Sequence, residues 1–248
     1  MFVLADHTIS LGAAMSELIQ IPAELAAALR GARHVAVLTG AGVSAESGIP
    51  TFREAQTGLW AQYDVQELAT PQAFRRNPRL VWEWYAWRRG LVATAQPNPA
   101  HQALAALERQ VPKFTLITQN VDSLHQRAGN QNIIELHGNL AQVKCFDDGA
   151  LVEHWDDNAA ELPPRCPRCG GLLRPNVVWF GELLPAEALA AAVEAARTCD
   201  LFLSVGTSGL VEPAASHTRW DIFEYYNVIV NLVVAQNRMM PFGASKKL

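Results

Sequence analysis

Gly40-Ala41-Gly42-Val43-Ser44-Ala45-Glu46-Ser47-Gly48-Ile49-Pro50 decides how this chain is read. It comes directly after His34-Val35-Ala36-Val37-Leu38-Thr39, a β-branched apolar run that predicts a buried strand. A strand that breaks into Gly-x-Gly suits a pyrophosphate. The first glycine permits the tight turn, the second lets the backbone approach a phosphate, and N–H groups at the next helix N-terminus face the negative charge. The spacing Gly40-x-Gly42-x-x-Ala45 fits the dinucleotide fingerprint with alanine at the third place, although an ordinary strand–loop turn can show it too. The residues after this turn depart from a dehydrogenase pattern. A further glycine, a proline and Thr51-Phe52-Arg53 replace the long crossover helix, so a loop carries an aromatic ring and a cation close to the phosphate turn.

Composition narrows the class. Half of the 248 residues are hydrophobic and 18% are charged, as in a compact folded protein. A net charge of −4 gives no electrostatic case for nucleic acid or an anionic membrane as partner. No apolar run approaches the roughly 20 residues needed to cross a bilayer. Residues 1–18 hold no Lys or Arg, which makes a poor secretory signal, and a cytoplasmic location is expected. Of the cysteines Cys145, Cys166, Cys169 and Cys199, the pair Cys166-Pro167-Arg168-Cys169 is a C-x-x-C, which suggests metal or redox use more than a disulfide framework.

Strands and helices alternate along the chain. Helices are predicted at 22–30, 80–92, 100–110 and 186–197, and strands at 34–39, 113–118, 133–136 and 201–205. Thr70-Pro71 and Asn77-Pro78 read as helix breaks. Residues 140–175 change character, with turns, prolines, acidic pairs and three cysteines, and read as an insert. The alternation predicts an α/β fold with a parallel sheet and helices on both faces. Strands ending near 39, 118, 136 and 205 empty into polar or glycine-rich loops. In an open parallel sheet ligands bind beyond the carboxyl ends of the strands, so the loops 40–53, 119–122, 137–138 and 206–208 are expected to meet around one ligand.

Four ordered motifs resemble the sirtuins, NAD-dependent protein-lysine deacylases: Gly40 through Ser44 with Pro50-Thr51-Phe52-Arg53, Thr118-Gln119-Asn120-Val121-Asp122 with Leu124-His125, Glu135-Leu136-His137-Gly138, and Gly206-Thr207-Ser208. The likeness covers roughly 20–215. It implies a Rossmann-like NAD-binding domain (21–139 and 176–248) after an N-terminal extension (1–20). A small zinc-type module (140–175) is inserted, and 54–95 can also contribute to it. By the same resemblance Gly40, Ala41, Gly42 and Ser44 would hold the diphosphate and ribose, with Phe52 and Arg53 flanking the nicotinamide end. Asn120 and Asp122 would form the nicotinamide pocket, Gln119 would bond ribose, and Gly206, Thr207, Ser208 and Asn231 would complete the NAD site. In the reaction the resemblance implies, the acyl oxygen would attack the ribose carbon that bears nicotinamide, and nicotinamide would leave. His137 is then the general base on a ribose hydroxyl, as suits an imidazole that titrates near neutral pH. His125 reads as structural.

Tyr85 and Arg88, three apart on one helix face, suit a carboxylate, because Arg offers paired donors. Tyr-x-x-Arg in an aromatic helix resembles the bacterial sirtuin branch that removes succinyl and malonyl groups. Without that resemblance the same pattern describes an amphipathic helix with buried aromatics and a solvated Arg. Val177, Trp179 and Phe180 lie in a stretch that resembles the strand over which sirtuins lay an acyl-lysine peptide. Cys145, Cys166 and Cys169 would bind zinc. Cys145-Phe146-Asp147-Asp148 puts aspartate where a fourth cysteine is expected, which leaves a weakened site, with Asp148 as a ligand, and no site equally open. Past Gly206-Thr207-Ser208 the chain departs from the family, with Asn231 alone of the adenosine-ribose residues. A non-catalytic NAD or ADP-ribose binder and a nicotinamide oxidoreductase are the alternative functions.

Overall fold

A computed structural model describes residues 22–50, 68–157, 160–207 and 231–232. Helix α1 (Ala23–Gly31) opens after Pro22, carries Glu24 in its first turn and Arg30 in its last, and so agrees with the helix dipole at both ends.

From Arg33 onward the chain builds a five-stranded parallel sheet. Its strands are β1 (His34–Thr39), β2 (Lys113–Thr118), β3 (Ile133–Glu135), β7 (Leu201–Val205) and β8 (Asn231–Leu232), in the order β3-β2-β1-β7-β8. β1 lies centrally, and Val35, Ala36 and Val37 are wholly buried. A strand covered on both faces has no need of polar alternation, hence the continuous apolar run. Helix α6 (Ala186–Thr198) lies on one face: Ala192, Ala195 and Ala196 pack on Ala36, Ile117 and Phe202. Alanines on that stripe let the helix axis come close to the sheet. Helix α4 (Pro99–Glu108) packs against β2.

Between β1 and β2 lie a 3-10 run (Ala41–Ser47) and helices α2 (Pro71–Arg76), α3 (Pro78–Thr94) and α4. The prolines at 71 and 78 start helices instead of breaking them. Each occupies the first turn, where a missing N–H costs nothing, and the residue before it caps. Thr70 Oγ1 accepts from Ala73 N at 3.1 Å and Asn77 Oδ1 from Leu80 N at 3.1 Å. Asn98 does the same ahead of Pro99, accepting from Ala100 N at 2.9 Å.

The segment read as an insert contains a second sheet, antiparallel, with β4 (Gly138–Cys145) between β5 (Leu151–Val152) and β6 (Leu173–Val177). Gly138 makes the transition from one sheet to the other possible. It has φ +77°, and a Cβ there would lie 2.2 Å from the Asn176 carbonyl oxygen. Trp82 of α3 is buried among Val143, Cys145, Val152, Cys166 and Leu173 of this unit. Its neighbours Val81, Trp84 and Tyr85 pack with Phe74, Leu140, Val177 and Trp179. Short helix α5 (Leu124–Ala128) comes after β2.

The start of β1 depends on Asp200, which immediately precedes β7. Its Oδ2 accepts from Arg33 N and His34 N, each at 2.8 Å. Those bonds, first from His34 and then from Arg33, hold the carboxyl below its ordinary value of 3.8. A carboxyl so depressed stabilises the fold above the unfolded-state value and loses that contribution as pH falls through the folded-state value. Asp200→Asn should therefore lower the thermal midpoint at pH 7, with the gap from wild type closing as pH drops below about 4; calorimetry from pH 7 to pH 3 measures it.

Candidate active site

Because β1, β2, β3 and β7 are parallel, their carboxyl ends share one rim. The loops leaving them are bonded to one another. Gly40 N donates to Val205 O at 3.3 Å, Gly42 N to Gly206 O at 2.8 Å, and Gln119 N to Thr39 O at 3.0 Å. The glycines allow this approach. A Cβ on Gly42 would lie 2.7 Å from Gly206 O, and one on Gly206, with φ +63°, would lie 2.2 Å from Val43 N. The sequence suggested that Gly42 admits a phosphate; in the fold it first admits the β7 loop, to which its own amide is committed.

Beneath the glycine turn is a buried polar cluster. Ser44 Oγ donates to Asp122 Oδ2 at 2.7 Å and accepts from Asn120 Nδ2 at 3.1 Å. Asp122 Oδ1 accepts from Leu124 N at 2.9 Å, which orients the carboxylate and starts α5. Ser44, Asn120 and Asp122, assigned from sequence to different parts of one ligand, thus touch each other. The Ser44 hydroxyl is spent on that contact. Gln119 Nε2 reaches Thr207 Oγ1 at 3.5 Å across the rim. Phe52, Arg53 and Ser208 lie outside the described residues, and of Asn231 the structure describes the backbone, paired with Ser204 across β8 and β7.

His137 stands at the end of β3. Its Nδ1 lies 2.9 Å from Gln119 O. A carbonyl can only accept, so Nδ1 carries the proton and Nε2 keeps its lone pair. Burial lowers the His137 pKa below 6.5, and the bond to Gln119 opposes that only in part. The imidazole is therefore a neutral base at neutral pH.

Two further histidines lie deeper. His125 Nε2 is 3.0 Å from Thr39 Oγ1, whose proton goes to Thr118 Oγ1 at 2.9 Å. Nε2 must be the donor, and burial, helped by His101, pushes the pKa to about 3. This agrees with a structural His125. His101 went unnoticed in the sequence. Its Nδ1 accepts from Asn98 N at 3.3 Å, which puts the proton on Nε2, 3.4 Å from Ser44 Oγ. Asn98 Nδ2 also donates to Val43 O at 2.8 Å and Ser47 Oγ at 3.0 Å. The signal was present in Asn98-Pro99-x-His101, a helix start in which Asn and the third helical residue cap each other.

Tyr85 and Arg88 share a face of α3 as predicted. Tyr85 is 3% exposed, and burial raises its phenol to about 12, partly opposed by Arg88. Arg88 is held below its ordinary value by burial, against the pull of Tyr85 and then Asp122. The Arg88 guanidinium sits 5.1 Å from the Trp84 ring centre. The 177–180 stretch is more internal than a bare peptide platform. Val177 and Trp179 are buried, and Phe180 is exposed. The amides of Val178, Trp179 and Phe180 donate to His137 O, Glu182 Oε2 and Ala69 O.

Cys145, Cys166 and Cys169 place their sulfurs within 4.8 Å of one another, with Cys145 and Cys169 at 3.5 Å. Three thiols so grouped match the donor set zinc takes in structural sites. Backbone N–H bonds from Arg168 and then Cys169 lower Cys166 to about 7, whereas burial raises Cys145 to about 11. Asp148 is not one of the grouped donors, although its carboxylate also interacts with Cys145. Its carboxylate is exposed, accepts from Ala150 N at 2.9 Å and pairs with Arg168 at 2.7 Å.

The Sir2 family model matches residues 40–213. The NAD-dependent protein deacylase of Aquifex aeolicus is 57% identical over 182 residues, covering 73% of this chain and 76% of its own. A Sir2 homologue variant solved with 2′-O-acetyl ADP ribose superposes with a TM-score of 0.75 at 46% identity, covering 85% of this chain and 84% of its own. A Sir2 structure with p53 peptide and NAD⁺ superposes at 0.66 with 34% identity, covering 79% of each chain.

The cysteine cluster can be tested directly. Purified protein should carry about one zinc per chain, Cys166→Ser should lose most of it, and Asp148→Ala should retain most of it, read by elemental analysis. An equal loss in Asp148→Ala would make that carboxylate a ligand.

Proposed function

The chain belongs to the Sir2 family, and from that premise we propose that it removes acyl groups from protein lysines with consumption of NAD, releasing nicotinamide and O-acyl-ADP-ribose. The observation that carries this is His137, with its proton pinned on Nδ1 and a lone pair on Nε2 at the rim where four strand-end loops meet. The relatives' deacylase names favour this over an oxidoreductase or a silent binder.

The donor set fits the dinucleotide: a glycine turn, the Gln119 carboxamide and the Thr207 hydroxyl stand at one rim, with the Asn120 carboxamide held in the cluster beneath it. NAD supplies the activated bond between ribose and nicotinamide. The protein's own part is to hold and orient. Ser44 and Leu124 N fix the Asp122 carboxylate, and Asp122 through Ser44 fixes the Asn120 carboxamide. Gly40 to Ser44 and Gly206 to Thr207 form the wall on which the diphosphate would rest. His137 Nε2 takes the proton of a ribose hydroxyl.

The substrate is an acyl-lysine in an extended protein or peptide, as supported by the peptide complex of a relative. The acyl range extends to succinyl and malonyl. Tyr85 keeps its phenol proton at any physiological pH, and Arg88 adds charge on the same helix face, so together they offer the donors a short acidic acyl group needs. Among the described residues no helix is long and apolar enough to cross a membrane.

His137→Ala should abolish turnover of any acyl-lysine peptide, read as loss of deacylated lysine and O-acyl-ADP-ribose, the step at which the base is needed. Because the His137 pKa is depressed, the base form persists below pH 6.5, and the acid limb of kcat/KM, which reports the free enzyme, should fall on the low side of that value. Arg88→Met should weaken desuccinylation at least about tenfold more than deacetylation, as expected for loss of a charge-assisted pair. Equal losses on the two substrates would remove the acidic-acyl assignment.

A further inference from the structure

The Trp179 side chain has no part in the chemistry above, yet a set of directed contacts converges on it. Its indole Nε1–H donates to Tyr85 Oη at 2.9 Å. Its backbone N–H donates to Glu182 Oε2 at 2.8 Å. The Arg174 guanidinium lies 3.3 Å from its ring centre. Arg174 in turn holds both Glu182 oxygens and donates to Val177 O at 2.8 Å. Phe74 covers another side, with ring centres 5.3 Å apart. Trp179 is 1% exposed and Arg174 3%, so this is a fixed block and not a surface contact.

The consequence falls on the Tyr85 proton. A phenol O–H lies in the plane of its ring and has two orientations. An N–H donor occupying the oxygen from one side removes the orientation that points toward it. The indole is such a donor, and the phenol proton is turned to the opposite side. Arg88 interacts with the same phenol from the next turn of the helix.

We propose that Trp179 is the positioning residue of the acidic-acyl pocket: its indole N–H fixes the Tyr85 hydroxyl so that the phenol proton, beside Arg88, is presented to the acyl carboxylate. This rests on the acyl-pocket reading of Tyr85 and Arg88. It assigns to Trp179 a role in choosing the acyl group, exerted through Tyr85 and not by touching the substrate. Loss of the indole N–H then leaves the phenol proton free to point either way.

The test is steady-state kinetics on succinyl-lysine and acetyl-lysine versions of one peptide, for wild type, Tyr85→Phe, Trp179→Phe and the double variant. Trp179→Phe should lower the ratio of desuccinylation to deacetylation about five- to tenfold, mainly through a higher KM for the succinyl peptide, as one directed hydrogen bond is worth. In the Tyr85→Phe background it should lower that ratio by less than about twofold, since the group it positions is gone. A tryptophan analogue of the same shape that carries sulfur in place of the indole N–H, placed at 179 alone, should match Trp179→Phe while preserving packing. If Tyr85→Phe lowers the ratio and neither Trp179 variant does, the proposal is overturned and the pocket stands. Full multiplicative losses in the double variant overturn it as well. If Tyr85→Phe and Arg88→Met both leave the ratio unmoved, the pocket reading itself fails and takes the proposal with it.

Discussion

Two glycines in contact set the geometry of the rim. Gly42 donates its amide to Gly206 O at 2.8 Å, and neither position has room for a Cβ. The contact locks the loop after β1 to the loop after β7, two strands already paired from Val35 with Leu201 to Thr39 with Val205. Once that is made, the 3-10 run from Ala41 has one direction to take, and Ser44 falls over Asp122. A methyl group on either glycine would have to push backbone against backbone, which close-packed interiors do not absorb cheaply. The fingerprint glycines thus serve the protein's own chain before they serve any ligand.

The polar cluster beneath has the opposite character: its members are costly alone and satisfy one another, with His125 Nδ1 the one ring nitrogen left without a hydrogen-bond partner. Ser44, Asn120, Asp122, His101 and His125 are all nearly inaccessible. A buried polar group without a partner costs about 1–3 kcal/mol, so removing one member strands the others. Here each proton has a determinable place. Asn98 N forces His101 to carry its proton on Nε2, Thr39 forces His125 to do the same, and Gln119 O forces His137 to carry its proton on Nδ1. Three histidines of one small region are thereby sorted, and only the one at the rim keeps an accessible lone pair. Burial holds all three imidazoles below their ordinary value, so they add no positive charge beneath the rim at neutral pH.

Most of the parallel sheet could be read from residues alone, and the reason is burial on both faces. Strands 34–39, 113–118 and 201–205 are continuous apolar runs closed by turn residues, and they lie at those bounds. The small sheet was not legible. Gly138–Cys145 alternates poorly and contains an irregularity between Asn139 and Val143, because it must pair with β6 while leaving the parallel sheet. Prolines 71 and 78 look like breaks in the sequence because proline forbids a helix interior, whereas the capping side chain one place before each decides the outcome. The convergence of the four loops was foreseeable, since strand ends in a parallel sheet share a side. The partners inside it were not. Nothing in the spacing of Asn98-Pro99-x-His101 says which serine its imidazole will meet, and nothing in the 177–180 stretch says that Trp179 will turn inward to a phenol.

Helix α3 ties these levels together because its faces answer to different neighbours. Trp82 and Arg89 belong to the cysteine-bearing unit. Trp82 packs against Cys145 and Cys166, while Arg89 lies 4.8 Å from the Trp82 ring centre and pairs with Asp157 at 2.9 Å. Tyr85, about 60° round the helix from Trp82, accepts from the Trp179 indole, and Arg88, further round, lies within the electrostatic influence of Asp122. A helix cannot rotate one face without the other, so how the small unit seats Trp82 also fixes where the Tyr85 hydroxyl stands. The cysteine cluster, remote from the rim in chemistry, is joined to Tyr85 by one rigid turn of backbone. That places a geometric demand on the unit: it must hold Trp82 in a single position, which three sulfurs gathered around one point are well suited to ensure.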